Sequence, residues 1–184
     1  MLLNILLTLL LVLLNGFFVA AEFSIVKVRY SQIHLRAEKG SKIAKRSEKI
    51  IHHLDTYLSA TQLGITLASL GLGWIGEPLF AKIIEAVVHS FGAEISDDLL
   101  HKISLPVGFF TITVLHIVFG ELAPKSIAIR KSESTTLFVT YPLYFFYSIF
   151  RPFIWFMNSL SNLFLKMIGI QPAGEQEIHS SDEL

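Results

Sequence analysis

The chain has no cysteine in 184 residues. That excludes disulfide frameworks, thiolate metal sites and cysteine nucleophiles. It also lacks a Gly-rich phosphate loop and a His-Glu-x-x-His pair, so neither a P-loop nor a zincin-type centre is available. Net charge is missing too: 15 Lys and Arg balance 15 Asp and Glu, and no overall field draws the chain to nucleic acid. No paired nucleophile and base stands out, so an enzyme is not the expectation. Charged residues make up only 16% of the chain, against about 25% in soluble domains. Apolar residues take their place, with 52% hydrophobic content and 15 phenylalanines at a mean hydropathy of +0.57. This is the composition of a membrane domain.

The apolar residues fall into spans. The first covers about 2–26, and its uninterrupted run to Ala21 has bilayer length. A signal peptide cleaved near Val19-Ala20-Ala21 is the competing reading, but the basic n-region is absent and the run is long for an h-region. A loop over 27–53 follows, with Lys27, Arg29, Arg36, Lys39, Lys42, Lys45, Arg46 and Lys49 against Glu38 and Glu48. Such loops stay in the cytoplasm, which places the N-terminus outside. Ile33, Ile43, Ile50 and Ile51 supply the apolar side of an amphipathic helix at the headgroups.

A second span over 57–76 carries no charge, and Ser59, Gln62, Thr66, Ser69 and Gly73 recur on one helical face. In lipid that face turns toward protein or water, either for hydroxyl-mediated packing or as an ion-facing stripe. Gly71, Gly73, Gly76 and Glu77-Pro78 predict a helix end near 76 and a separate amphipathic helix over 79–91. A loop with Glu94, Asp97 and Asp98 fits the outer side, with His89 and His101 solvated beside it. The third span, 103–129, returns inside at Arg130-Lys131. Pro142, Arg151 and Pro152 divide the next apolar stretch, which predicts two juxtamembrane helices over about 135–168 rather than a fourth span. The tail 169–184, with Glu175, Glu177, Asp182 and Glu183, reads as an acidic linker. The fold class is therefore an all-α membrane protein with three transmembrane helices and a juxtamembrane helical hairpin or belt. Its C-terminus is cytoplasmic.

The stretch that points to function is Gly120-Glu121-Leu122-Ala123-Pro124-Lys125. A carboxylate inside a span is costly to desolvate and marks a functional site by default. Pro124 interrupts the helix and frees backbone carbonyls at that depth. A carboxylate beside unpaired carbonyls suits a hard cation. Lys125, one turn on, offers the alternative of an ion pair with Glu121, or it snorkels to the interface. His116, five positions before Glu121, points well away from it on an ideal helix and reads as a packing residue. The oxygen-only donor set favours magnesium, calcium or sodium over zinc or copper. Ser24 and Ser69 differ in depth by about 10–15 Å on straight helices, so a common site for them needs a tilt or a break.

The order of motifs carries a resemblance. Asn15-Gly16-Phe17-Phe18-Val19-Ala20-Ala21-Glu22-Phe23-Ser24, the segment from Leu54-Asp55 to Ser69-Leu70, Gly73-Trp74-Ile75-Gly76-Glu77-Pro78 and Gly120-Glu121-Leu122-Ala123-Pro124-Lys125 together resemble the transmembrane domain of the CorC/CNNM family. The likeness covers nearly the whole chain, with residues 1–168 as the domain. It implies a homodimer in a bacterial inner membrane that exports magnesium, with sodium as the proposed counter-ion. The linker 169–184 would lead to a cytoplasmic CBS pair that binds ATP. The ion site the resemblance implies consists of Ser24, Ser69 and Glu121, with backbone oxygen at Gly120 and a contribution from Glu22. Alternating access around Glu121 is one mechanism that fits. A magnesium sensor regulating a separate transporter is the other.

Overall fold

The structure, a computed structural model, describes residues 2–90 and 97–169, and all regular structure among them is helical. Glu94 and the acidic tail beyond 169 lie outside the described residues, as do the side chains of Asp97, Asp98, His89 and His101. Helix α1 runs Leu2–Lys27, α2 Tyr30–Glu38, α3 Lys42–His52 and α4 Leu54–Ser90. Then come α5 Asp97–Leu115, a π-helical segment His116–Leu122, α6 Ala123–Arg130 and α7 Ser132–Met167. By length and composition, Leu2–Lys27, Leu54–Gly76, Pro106–Arg130 and Ser132–Met167 can each cross a bilayer. Backbone polar groups in lipid find partners only within a helix or a closed barrel, which is why these apolar runs are helical throughout.

Two predicted breaks are absent. Helix α4 continues through Gly71, Gly73, Gly76 and Pro78 as one helix of 37 residues, so the described part of the expected 79–91 helix, 79–90, is no separate element. Gly71 and Gly76 serve helix contact instead. A Cβ on Gly71 would sit 3.1 Å from the Leu11 methyls of α1, and one on Gly76 would overlap Ile112 of α5. Likewise α7 is one helix of 36 residues through Pro142 and Pro152, where two were predicted. Each proline forfeits one backbone bond. Val139, Leu143 and Ile154 are buried on either side of these prolines, and that packing holds the helix together where an isolated peptide would break.

The main core joins Ala21 and Ile25 of α1, Ile50 of α3, Tyr57, Ala60 and Leu63 of α4, and Val139, Leu143 and Ile154 of α7. These residues belong to the ends of α1 and α4 nearest the basic segment. Farther along α7, Ser59 donates to Asn158 at 2.7 Å. The named contacts of α7 therefore stay at one end of the bundle, from Glu133 beside Arg36 to Asn158 beside Ser59. The basic segment folds as a helical hairpin over a second cluster of Val28, Ile33, Ala37 and Ala44. Gly40 turns the chain at φ +90°, and the Ser41 hydroxyl caps α3 by accepting from Ala44 N at 3.3 Å. Ile33 and Ile50 are buried and Ile51 is partly so, but Ile43 is exposed, because α3 turns Ala44, Ser47 and Ile50 inward. Ser47 and Thr140 share a buried hydroxyl contact of 2.6 Å, and Arg46 lies 4.0 Å over the Tyr144 ring. The hairpin is thus latched to the first half of α7.

Candidate ion site

Pro124 was expected to interrupt its helix, yet the helix passes through it with a change of pitch. Residues His116–Leu122 adopt π geometry, and Ala123 N bonds to Val118 O, five residues back. Proline has no N–H, so the Gly120 carbonyl loses the donor it would have in an α-helix. The structure supplies a replacement from another helix: the Asn15 amide Nδ2 donates to Gly120 O at 2.8 Å. Such π segments recur at functional sites.

Close backbone approach makes this contact geometrically possible. A Cβ on Gly16 would lie 2.9 Å from Pro124 Cγ and 3.0 Å from Phe119 O. One on Gly120 would lie 2.8 Å from His116 Cδ2 and 3.0 Å from Asn15 Nδ2. Only glycine at both positions lets α1 and the π segment meet at this distance. The network continues onto α4, where the Ser69 hydroxyl donates to Asn15 Oδ1 at 3.3 Å and lies 3.5 Å from His116 Nε2. Asn15, Ser69, His116 and the Gly120 carbonyl thus form one polar cluster drawn from three helices, with Asn15 buried at its centre. On its far side Ser69 and His116 border a cavity of about 530 Å³, lined also by Gly73, Pro106 and Thr113.

The other predicted residues lie elsewhere. The Ser24 hydroxyl is fully buried and bonds to the Ala21 carbonyl of its own helix at 3.1 Å. It sits nine residues beyond Asn15 on an unbroken α1, about 13 Å along the axis. Ser24 and Ser69 are accordingly on different levels. Glu22 is partly buried and faces Gln62 and Lys125. Lys125 turns to α1, with Nζ 4.4 Å from the Phe23 ring centroid, and no ion pair among the described residues joins it to Glu121. Glu121 is exposed on the π segment. Residues five apart share a face where the bonding is i to i+5, so the ideal-helix argument separating His116 from Glu121 does not apply. Among the described residues no group of three or more His, Asp or Glu could hold a metal ion. A cation site here would draw on one carboxylate with hydroxyl, amide and carbonyl oxygens, a donor set for a hard cation.

Sequence reasoning passed over Asn15 as part of a motif and His116 as packing. The available signal was an amide in the middle of an apolar span, which needs a partner at that depth.

Comparison with known proteins bears on the same elements. The Cyclin M transmembrane N-terminal domain profile, CNNM, matches residues 6–184. The chain belongs to this family. Among its relatives, the UPF0053 protein YrkA of Bacillus subtilis is 44% identical over 182 residues, covering 98% of this chain and 42% of YrkA. The UPF0053 protein YhdT of the same organism is 45% identical over 175 residues, covering 95% of this chain and 38% of YhdT. Uncharacterized protein Rv1841c of Mycobacterium tuberculosis is 35% identical, covering 95% of this chain and 49% of that protein. The chain thus spans less than half the length of the curated relatives it matches. CNNM membership makes it a multi-pass membrane domain of a transporter-type family rather than an enzyme family.

Proposed function

We propose that this CNNM domain carries a divalent cation, magnesium, out of the cell by alternating access around Glu121. The observation that carries the reading is the Gly120 carbonyl. Pro124 cannot give it the α-helical donor, it is the neighbour of a membrane-embedded carboxylate, and the Asn15 amide that donates to it also accepts from the Ser69 hydroxyl of a third helix. Magnesium keeps several waters and takes a few protein oxygens. Glu121 with Gly120 O, Ser69 Oγ and Asn15 Oδ1 suits that habit. Asn15 Nδ2 holds Gly120 O by a hydrogen bond that an arriving cation would replace. Ser24 and Glu22, about 13 Å nearer the basic end of α1, would then line the cytoplasmic approach rather than the same coordination shell.

In this reading the basic hairpin of α2 and α3 is cytoplasmic, α7 lies as a belt across the inner ends of α1 and α4, and sodium is the counter-ion. The whole protein would be a homodimer whose remaining length carries the CBS pair and its ATP. The test is Glu121→Gln in the full-length protein, reconstituted in liposomes with a trapped magnesium indicator and assayed separately for magnesium affinity. The expected result is at least a tenfold loss of flux and weaker binding, because the charged ligand is gone. Unchanged affinity in the variant would sink the site. Intact magnesium binding without flux in the wild type would replace the transporter with a sensor.

A further inference from the structure

A groove of about 400 Å³ lies between α1, α6 and the first turns of α7. Its shaft is apolar, built by Leu13, Phe17, Ala20, Phe119, Ile127 and Phe138. Its mouth is not. Lys131, Ser134 and Thr135 close one end, where the chain turns from α6 into α7. Lys131 is exposed and makes no ion pair among the described residues. The acidic residue nearest in sequence, Glu133, is engaged by Arg36, and the exposed Arg130 does not line the groove. The Thr135 hydroxyl has no hydrogen bond among the described residues, and Ser134 Oγ makes only a long contact of 3.4 Å to Lys131 O.

An apolar shaft under a cationic, hydroxyl-bearing mouth matches one kind of occupant. A free phosphate would use the mouth alone, and a neutral lipid would leave the lysine uncompensated. A second copy of this chain seating an apolar helix here would bury that charge unpaired, at a cost of several kcal/mol. An anionic phospholipid fills both parts, its acyl chain in the shaft and its phosphodiester on Lys131 and the two hydroxyls. We propose that this groove is a binding site for an anionic phospholipid of the adjoining leaflet. Gly16, Pro124 and Val139 form the remaining wall, so the bound chain braces the contact between α1 and the π segment. The proposal rests on the membrane reading alone and is independent of which cation, if any, the protein carries.

Native mass spectrometry of the full-length protein in detergent tests it, by titration with phosphatidylglycerol and phosphatidylcholine of identical chains. Phosphatidylglycerol binds about fivefold more tightly, the size one lysine contributes near an anionic surface. Lys131→Gln, a change at an exposed position, removes that preference and leaves phosphatidylcholine binding unchanged. Ala20→Leu fills the shaft and weakens both lipids. Equal affinity of the two lipids for the wild type overturns the proposal, as does a preference that survives in K131Q. Inorganic phosphate that displaces phosphatidylglycerol at equal concentration reduces the site to its mouth and overturns it too. So does a photocrosslinker at Phe138 that captures a second copy in place of lipid.

Discussion

Replacing Asn15 by leucine keeps the branching and heavy-atom count of the side chain and removes both of its hydrogen bonds. In the wild type the amide is 2% exposed, donates to Gly120 O at 2.8 Å and accepts from Ser69 at 3.3 Å. Ser69 retains His116 as a neighbour, so the serine loses little. Gly120 O loses its donor on α1, and Pro124 cannot supply the α-helical one. A buried carbonyl left unsatisfied costs about 1–3 kcal/mol. Interhelical hydrogen bonds in membranes average about 0.6 kcal/mol, which pulls the figure toward the lower end of that range. The leucine gains little in return, because lipid is as apolar as its side chain. The expected loss is about 1 kcal/mol, a factor of about 5 in the unfolding equilibrium at an RT of about 0.59 kcal/mol. For a chain of this size that lowers the unfolding midpoint by about 2–4 °C, measured as loss of helical circular dichroism in detergent. Asn15→Asp sharpens the test. It preserves the acceptor for Ser69 but points an anionic oxygen at Gly120 O, so it destabilises at least as much when ionised and recovers in part on protonation. An N15L midpoint within about 1 °C of the wild type would refute the reasoning, because the carbonyl would then have no need of its partner.

Two further outcomes follow from the same geometry. Gly16→Ala places a methyl against the Pro124 ring and the Phe119 carbonyl, neither of which is a flexible tip, and costs about 1–3 kcal/mol. Gly73→Ala meets nothing within 4 Å and leaves the midpoint unchanged or slightly raised in the same assay. In the hairpin, the hydrogen bond to Glu48, reinforced by the charges of Glu38 and Glu48 and opposed by desolvation, holds His34 above its ordinary pKa. The contribution of this histidine is therefore complete below its unfolded value and is lost as pH rises through the raised folded value. Unfolding measured across about pH 5 to 8 shows the wild type losing stability toward the alkaline side relative to His34→Gln, and parallel curves for the two would show that the His34–Glu48 contact between α2 and α3 adds no stability.

How far the sequence could be read depended on whether a signal was local. Apolar length named the helices, and the basic segment from Lys27 to Lys49 named the side of the bundle to which α2 and α3 belong. The breaks were misplaced at Gly71, Gly76, Pro142 and Pro152, because glycine and proline act as breakers only when nothing else holds the helix. Here Leu11 and Ile112 fill the space that the α4 glycines leave, and the buried Val139, Leu143 and Ile154 hold α7 across its prolines. In the candidate site, Ser69 and Gly120 do meet around one side chain, but that side chain is Asn15. Its partner lies 105 positions away, and no periodicity along α1 connects them.

By itself the sequence determined that the chain is a helical membrane domain, that it belongs among CNNM proteins, and that Glu121 and Pro124 mark a special point on the third apolar span. These are properties of composition and of contiguous motifs, which act over a few residues. The tertiary structure alone decided that a π segment stands before Pro124 instead of a break, that Asn15 answers the Gly120 carbonyl, and that His116 joins the cluster around it. The physical reason is that a missing backbone donor in lipid must be replaced from another helix, and which helix supplies it depends on how the bundle packs.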